Sequence, residues 1–339
     1  MKKVRKYWPK VKNILGKVTR LARGFWRGLA TAIGSLVLFF LIFSFIGGVG
    51  LPSAGLGKPS ISESYLIGEG EDKIAFIRLS GLVLEEAESL GPFSAGMRAI
   101  TPKRVRELLQ KAEGEEKVRG VILSINSPGG SAVASDRVWE EIRSAKKPVV
   151  VLMGDTAASG GYFIASAADK IVAGEATLTG SIGVIAEVYN LADLYEKLGI
   201  KVEVFKKGEF KDILSPVRER TDEEKKMLDE LLDDAYGLFL RRVAEGRGLK
   251  ADEVKELAEG KIYSGKKALE VGLVDEVGNL QKAVEVVKDL AGIEEAKVFE
   301  YSRVGILESL LGGMGVSLLG RIFPRRIEAY PRVMYILEI

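Results

Sequence analysis

Short strand-forming runs alternate with helical stretches from residue 73 to about residue 220, and this alternation constrains the fold more than any other feature. Lys73–Leu79, Val118–Ile125 and Pro148–Met153 are predicted strands. Thr101-Pro102 predicts the start of a helix, because threonine caps a first helical turn and proline fits its first position. Strands that alternate with helices indicate an α/β fold with largely parallel pairing.

The pattern continues in both directions along the chain. A helix is expected to run from the glycines at 129–130 to about Ala145, and Ile182–Ala186 and Val202–Phe205 are expected to be further strands. After Thr221 the sequence becomes helical, with predicted helices at 222–246, 251–259, 264–271 and 279–291. Hydrophobic residues make up 47% of the 339 residues, which is enough for a sizeable core.

These features divide the chain into six expected segments. They are a basic tail (1–28), a transmembrane anchor (29–51), a linker (52–72), an α/β catalytic core (73–220), a helical C-terminal or assembly region (221–300) and an apolar tail (301–339).

The anchor is predicted from an uncharged run, Leu29–Leu51, which has the roughly 20 residues that a membrane-spanning helix needs. Residues 1–28 hold ten basic side chains and no acidic one. Because basic residues stay on the cytoplasmic side, the N-terminus is expected in the cytoplasm and residues 52–339 outside it, at the cell membrane. A cleaved signal peptide that ends near Pro52–Gly55 is the alternative, and a buried core helix is a third interpretation.

The sequence contains no cysteine and no histidine. The lack of cysteine excludes disulfides and a thiol nucleophile, and the lack of histidine excludes a Ser-His-Asp triad and imidazole metal ligands. Acid–base catalysis would therefore have to use Asp, Glu, Lys or Tyr.

Ser159 lies in a turn of small residues, Asp155–Tyr162, between a predicted strand and a helix. A serine at such a turn can present its hydroxyl beside backbone amides that hold a developing oxyanion. It can equally be an ordinary helix N-cap, and the turn alone does not decide between these interpretations.

Two more segments are candidates for a role in catalysis. In Ser127-Pro-Gly129-Gly130, glycines let the backbone approach a bound carbonyl, although an ordinary loop has the same composition. The segment Lys206–Pro216 holds three lysines, at 206, 207 and 211. A lysine that acts as a general base must be neutral, which burial can achieve, but spacing alone does not select one of the three.

Six short motifs follow one another along the chain. They are Asn126-Ser-Pro-Gly-Gly130, Ala157-Ala-Ser-Gly-Gly-Tyr162, Thr179-Gly-Ser-Ile-Gly183, Gly208-Glu-Phe-Lys-Asp212, Gly260-Lys-Ile-Tyr-Ser-Gly265 and Gly272-Leu-Val-Asp275. Together they resemble a signal peptide peptidase of the SppA type, in its short single-domain form, within the Clp protease/crotonase superfamily. The resemblance covers about residues 73–290.

The resemblance implies a spiral of β-β-α units and a serine endopeptidase with a Ser-Lys dyad. Ser159 would be the nucleophile, Lys211 the general base and Ser181 the hydroxyl that orients the lysine. The amides of Gly129 and Gly160 would form the oxyanion hole, and no metal, nucleotide or organic cofactor would be needed.

The resemblance also implies the partners. Substrates would be remnant signal peptides and other apolar peptides from the membrane, and the chain would form a homo-oligomeric ring whose dyads join neighbouring subunits. Nucleic acid is not expected. The alternatives are a membrane serine protease with one dedicated protein substrate, a crotonase-like acyl-CoA enzyme, and a scaffold without activity.

The apolar tail allows two interpretations. It can lie on the membrane or a neighbouring subunit, which we favour from the sequence, or its last residues can occupy the substrate groove as an inhibitory strand.

Overall fold

The computed structural model describes residues 34, 61–86, 99–303 and 334–336. The chain divides into two compact units, Met1–Lys58 and Pro59–Ile339. Within the first unit only Gly34 is described, and it is helical, so the predicted basic tail and the rest of the predicted anchor lie outside the described residues. In the part of the chain that the structure describes, no helix combines the length and apolar character needed to cross a membrane.

The larger sheet is mixed and is built around a parallel centre. Its strands are β1 (Ile61–Ile67), β2 (Asp72–Ser80), β5 (Val118–Ser127), β7 (Val149–Ala158), β8 (Lys170–Ala173), β9 (Leu178–Gly180), β10 (Ile262–Ser264), β11 (Glu276–Val277) and β12 (Ala296–Arg303). Its main path is β1-β12-β2-β5-β7-β8-β11, and β9 pairs with both β7 and β10. Among these described strands, only the β1–β12 and β9–β10 pairs are antiparallel.

A smaller sheet consists of β3 (Leu82–Val83), β4 (Ala99–Ile100), β6 (Gly129–Ser131) and β13 (Met334–Ile336). Its strand order is β13-β6-β3-β4. The pairs among β3, β4 and β6 are parallel, whereas β13 runs antiparallel to β6.

Eight α-helices connect or flank these strands in the described residues from 61 onwards. They are α1 (Pro102–Glu113), α2 (Ala132–Arg143), α3 (Gly160–Ala165), α4 (Ala192–Lys197), α5 (Asp222–Arg247), α6 (Ala251–Leu257), α7 (Gly265–Glu270) and α8 (Leu280–Ala291), with a 3₁₀ turn at Glu209–Asp212. Helix α1 begins as predicted, because the Thr101 hydroxyl accepts a hydrogen bond from the Arg104 amide at 3.3 Å.

Both faces of the larger sheet are buried, which explains the continuous apolar runs in its central strands. On one face, Ile77, Leu123 and Val151 pack in a core that also contains Trp139 of α2 and Phe239 of α5. The opposite face carries a second core that includes Ile74, Ile122 and Val150 together with Val287 of α8. The predicted α/β fold with largely parallel pairing is therefore confirmed.

Two predicted strands are wrong. Ile182–Ala186 contains only an isolated bridge at Ile185, and Val202–Phe205 is irregular. The side chain of Phe205 is 91% exposed. Alternating apolar residues predict a strand, but a strand also needs a neighbour to pair with, and the described residues offer none to Val202–Phe205.

Strands β1 and β12 were not predicted. Residues 61–67 fall in the expected linker, yet they pair with β12, which ends the region expected to be helical. Strand β12 lies beside β2, far away in sequence, and buries Val298 and Tyr301. This pairing joins the two ends of the α/β unit.

Candidate active site

Ser159 joins the end of β7 to the start of α3 with a strained backbone, at φ 52° and ψ −121°. Non-glycine residues rarely adopt a positive φ, and such strain persists only where the surroundings impose it. Here the Ser159 amide donates to the Gly180 carbonyl at 2.8 Å, and the Ser159 carbonyl accepts from the Phe163 amide at 2.8 Å. The side chain makes no capping hydrogen bond. The structure therefore does not support the helix-cap interpretation of this serine.

The glycines after Ser159 allow a close approach between two loops. A Cβ atom on Gly160 would lie 3.1 Å from the Gly129 Cα atom, and one on Gly161 would lie 2.5 Å from the Ser127 carbonyl oxygen. The predicted oxyanion segments around Gly129 and Gly160 are thus adjacent. The Gly129 amide donates to the Ser127 hydroxyl at 3.1 Å, so it already has a partner.

Ser181 follows β9, which lies parallel to β7. Ala158 of β7 is level with Gly180 of β9, so Ser159 and Ser181 each lie one residue beyond this pair. Ser181 also has a positive φ of 50°, and its amide donates to the Lys261 carbonyl at 2.7 Å. Both serine side chains are buried.

A cavity of about 430 Å³ opens beside the two serines. Sequence reasoning missed much of its wall, which comes from α5 and from the turn before β10. The lining residues are Ser159, Ser181, Gly183, Val184, Ile185, Leu232, Asp233, Tyr236, Glu259 and Gly260. The only sequence signal near this wall was the glycine motif that begins at Gly260.

Lys211 is exposed in the 3₁₀ turn and does not line the cavity described here. The structure of the single chain therefore brings together Ser159, Ser181, Gly129 and Gly160 but does not add Lys211 to them.

The residue after Lys211 is held by two cations. Asp212 accepts hydrogen bonds from Arg218 and from the Lys206 ammonium group, the latter at 2.6 Å. The Arg218 guanidinium, followed by the Lys206 ammonium, holds the pKa of Asp212 well below its usual range. Arg218 also binds Glu224, and this contact together with the Thr221 amide lowers the pKa of Glu224 to about 2.

The C-terminal strand β13 lies on the segment that contains Gly129. Its backbone pairs antiparallel with β6, so that Ile336 is level with Gly129 and Met334 with Ser131. This pairing is the contact that the inhibitory-strand interpretation of the tail expects. The described residues do not test the membrane or neighbouring-subunit interpretation.

No group of side chains in the described residues has the composition of a metal site. The expectation that catalysis needs no cofactor remains an inference from the chemistry of serine and lysine.

Two family profiles match parts of the chain. The profile of Peptidase family S49 matches residues 141–294, and that of Clp protease matches residues 97–176. A solved structure, a ClpP1 mutant from Listeria monocytogenes, is 17% identical with a TM-score of 0.41 and covers 62% of this chain and 94% of its own.

Three relatives extend the sequence match over most of the chain. A protein of Enterococcus faecium that is named as a signal peptide peptidase, SppA, is 35% identical, with 85% of this chain and 87% of that protein covered. A protein of Methanocaldococcus jannaschii that is named as a protease is 36% identical, with 78% and 84% covered. The chloroplastic serine protease SPPA of Arabidopsis thaliana is 37% identical over 80% of this chain, which spans 41% of the length of that relative. The chain therefore belongs to peptidase family S49, the family of the SppA signal peptide peptidases, and is a serine peptidase with an α/β fold.

Proposed function

We propose that the chain is a membrane-anchored endopeptidase in which Ser159 and Lys211 form the catalytic dyad. The observation that carries this proposal is the strained turn of Ser159, which places a buried serine without a capping bond at a cavity. A histidine base is impossible because the sequence contains no histidine. In place of histidine, the family motif that contains Lys211 provides a lysine as the base.

In the proposed reaction, the neutral amine of Lys211 removes the hydroxyl proton of Ser159, whose oxygen attacks a peptide carbonyl. The carbon–nitrogen bond then breaks, and the lysine ammonium gives its proton to the leaving amine. Water hydrolyses the acyl-enzyme in the second half of the reaction, with the same lysine as base, and releases the serine.

The amides of Gly129 and Gly160 are the proposed oxyanion donors. Their segments are in contact, which favours a common role in binding the oxyanion. Because the Gly129 amide bonds to the Ser127 hydroxyl, that bond must be exchanged for one to the substrate when the oxyanion forms.

We propose that the lysine reaches Ser159 from a neighbouring copy of the chain in a homo-oligomeric ring. The segment between Ile185 and Phe205 presents a set of large apolar side chains to solvent that a partner could cover, since such patches are uncommon on monomers. They are Ile185, Tyr189, Leu194, Leu198, Ile200, Val202, Val204 and Phe205. The lack of a lysine among the described residues that line the cavity agrees with this arrangement.

Substrates would bind as an extended strand beside β6, in the place that β13 takes here. The cavity beside Ser159 offers Val184, Ile185 and Leu232 to apolar side chains. Remnant signal peptides and other apolar peptides from the membrane suit this wall. The anchoring at 29–51, with a cytoplasmic N-terminus and an extracytoplasmic peptidase unit, is proposed from the sequence pattern alone.

A serine-reactive fluorophosphonate probe tests the nucleophile. The wild-type protein should be labelled and Ser159→Ala should not, because the probe reacts with an activated serine. Ser144→Ala is the matched control, since its hydroxyl only bonds the nearby Glu141 carbonyl. Equal labelling of Ser159→Ala and the wild type would refute the assignment.

A dedicated protein substrate is the second candidate function. The two carboxylates at the cavity, Asp233 and Glu259, favour it, because a purely apolar peptide offers neither of them a positively charged partner. Cleavage of a peptide library separates the candidates. Broad cleavage after apolar residues supports the first function, and one narrow motif supports the second.

A further inference from the structure

We propose that Arg218 is a positioning residue that fixes the turn of Lys211 to the first turn of α5 by bridging Asp212 and Glu224. This inference rests on the proposed role of Lys211 as the base. It concerns a residue that lies outside the six sequence motifs and outside the serine cavity.

The first half of the bridge joins Arg218 to the turn of the lysine. Its Nε atom donates to Asp212 Oδ2 at 3.0 Å and its Nη2 atom donates to Oδ1 at 2.7 Å. Two parallel bonds to one carboxylate fix its orientation as well as its distance. Because Asp212 directly follows Lys211, the backbone of the lysine is fixed as well.

The second half joins Arg218 to α5. Its Nη1 atom donates to Glu224 Oε2 at 2.8 Å and Nη2 donates to Oε1 at 2.5 Å. Glu224 is itself rigid, since it is 2% exposed and forms a capping box with Thr221. The Thr221 amide donates to Glu224 Oε2 at 2.9 Å, and the Glu224 amide donates to the Thr221 hydroxyl at 3.2 Å.

The turn of Lys211 has little else to hold it. None of the four residues Glu209–Asp212 is buried, and a Cβ atom on the preceding Gly208 would meet nothing within 4 Å. Lys206 provides the other tie, through Asp212 and the Glu209 carbonyl, but it belongs to the same loop. Among the described side-chain contacts of this turn, only the Arg218 guanidinium therefore connects it to a helix, which is α5.

The same helix forms a wall of the serine cavity. Leu232, Asp233 and Tyr236 of α5 line the cavity, while Glu224 at its start holds the bridge. One rigid element therefore orients both the substrate wall and the lysine turn. This holds whether the lysine serves its own chain or the next one.

The test compares Arg218→Met with Arg242→Met in the full-length protein, using peptide cleavage and thermal melting. Arg242 lies on the same helix and also bridges two carboxylates, those of Asp136 and Glu140, but far from the lysine turn in sequence. Arg218→Met should lower kcat by about 10- to 100-fold with KM changed much less, because small displacements of a catalytic group cost that much. Arg242→Met should keep the wild-type kcat.

The pH dependence of kcat/KM provides a second measurement, which a non-specific destabilisation of the fold would not shift. Without Arg218, the charge of Asp212 is balanced only by Lys206, and the charge of Glu224 also becomes unpaired. Excess negative charge beside an amine favours its ammonium form, so the acidic limb of kcat/KM should move to higher pH.

If Arg218→Met does not fold, Arg218→Lys tests the positioning role instead. Lysine keeps the charge but cannot bond two carboxylates as a planar fork, so kcat should fall by about 10-fold at an almost unchanged melting temperature. A wild-type kcat and pH profile in either folded variant, beside an inactive Lys211→Ala, would overturn the inference and leave the dyad intact. A fully active Lys211→Ala would instead overturn the proposed dyad.

Discussion

Ser159 and Ser181 lie side by side at the ends of two parallel strands, each one residue beyond the matched pair Ala158 and Gly180. Both have a positive φ, and the Ser159 amide bonds to the Gly180 carbonyl that precedes Ser181. The Thr179 hydroxyl adds a second link between the strands by donating to the Ala157 carbonyl at 2.7 Å. The register of the sheet thus controls the separation of the two hydroxyl groups at the cavity.

Ser181→Ala should lower kcat by about 10-fold or more with a small change in KM, because a base that has lost its orienting hydroxyl samples unproductive positions. The measurement is steady-state cleavage of a fluorogenic peptide. Ser181→Gly provides the control for backbone strain, since glycine adopts φ 50° without cost. Loss of rate in the alanine variant alone would point to the backbone rather than the hydroxyl.

Mixtures of Ser159→Ala and Lys211→Ala should recover part of the wild-type activity. Each variant lacks one member of the dyad, so a ring with dyads between subunits regains complete sites where the intact serine and lysine meet. The two proteins are unfolded together, refolded and assayed against each refolded alone. Absence of recovery in mixed oligomers, verified by two different tags, would indicate that the dyad forms within one chain.

Removal of residues 321–339 should raise the rate of peptide cleavage. Strand β13 pairs with β6 and is level with Gly129, so it competes with any substrate that binds there as a strand. Since the competitor is part of the same chain, the gain should appear mainly as a lower KM. A synthetic peptide of residues 330–339 added to the truncated protein should restore inhibition. Unchanged KM after truncation would contradict the competition.

The ionisation of Glu115 should make the free energy of unfolding depend on pH in the acidic range. Burial is the largest single influence and favours its protonated form, but the Lys111 ammonium at 2.5 Å and the other hydrogen-bonding neighbours together outweigh burial and hold the pKa of Glu115 at about 2, below its ordinary value of 4.5. The resulting stabilisation is complete above the ordinary pKa and is lost as the pH falls from about 5 towards 2.

Glu115→Gln should therefore lower the free energy of unfolding at pH 7 by about 1 kcal/mol, a value reduced for solvent screening. The difference from the wild type should shrink to a small part of this value at pH 2 and vanish below it. Urea unfolding at several pH values measures it, with the exposed neighbour Glu116 changed to Gln as the control. A difference that is constant with pH would show that packing, not charge, is responsible.

Much of the fold could be predicted because it depends on local pattern. The helix start at Thr101 and the buried strand at Val118 follow from capping chemistry and from continuous apolar runs, which act over a few residues. Strands β1 and β12 could not be predicted in the same way, because each is stabilised by a partner more than 200 residues distant in sequence. The same reason explains the error at Val202–Phe205, where a strand-like pattern has no described neighbour.

The sequence by itself determined the chemistry that is available: no histidine or cysteine, a serine in a glycine turn and ordered motifs that identify the family. Only the tertiary structure decided which groups meet. Strand register brings Ser181 beside Ser159, glycine contacts bring Gly129 beside Gly160, and β13 lies on β6. These are long-range relationships, and they depend on how the sheet aligns distant segments rather than on the properties of any one segment.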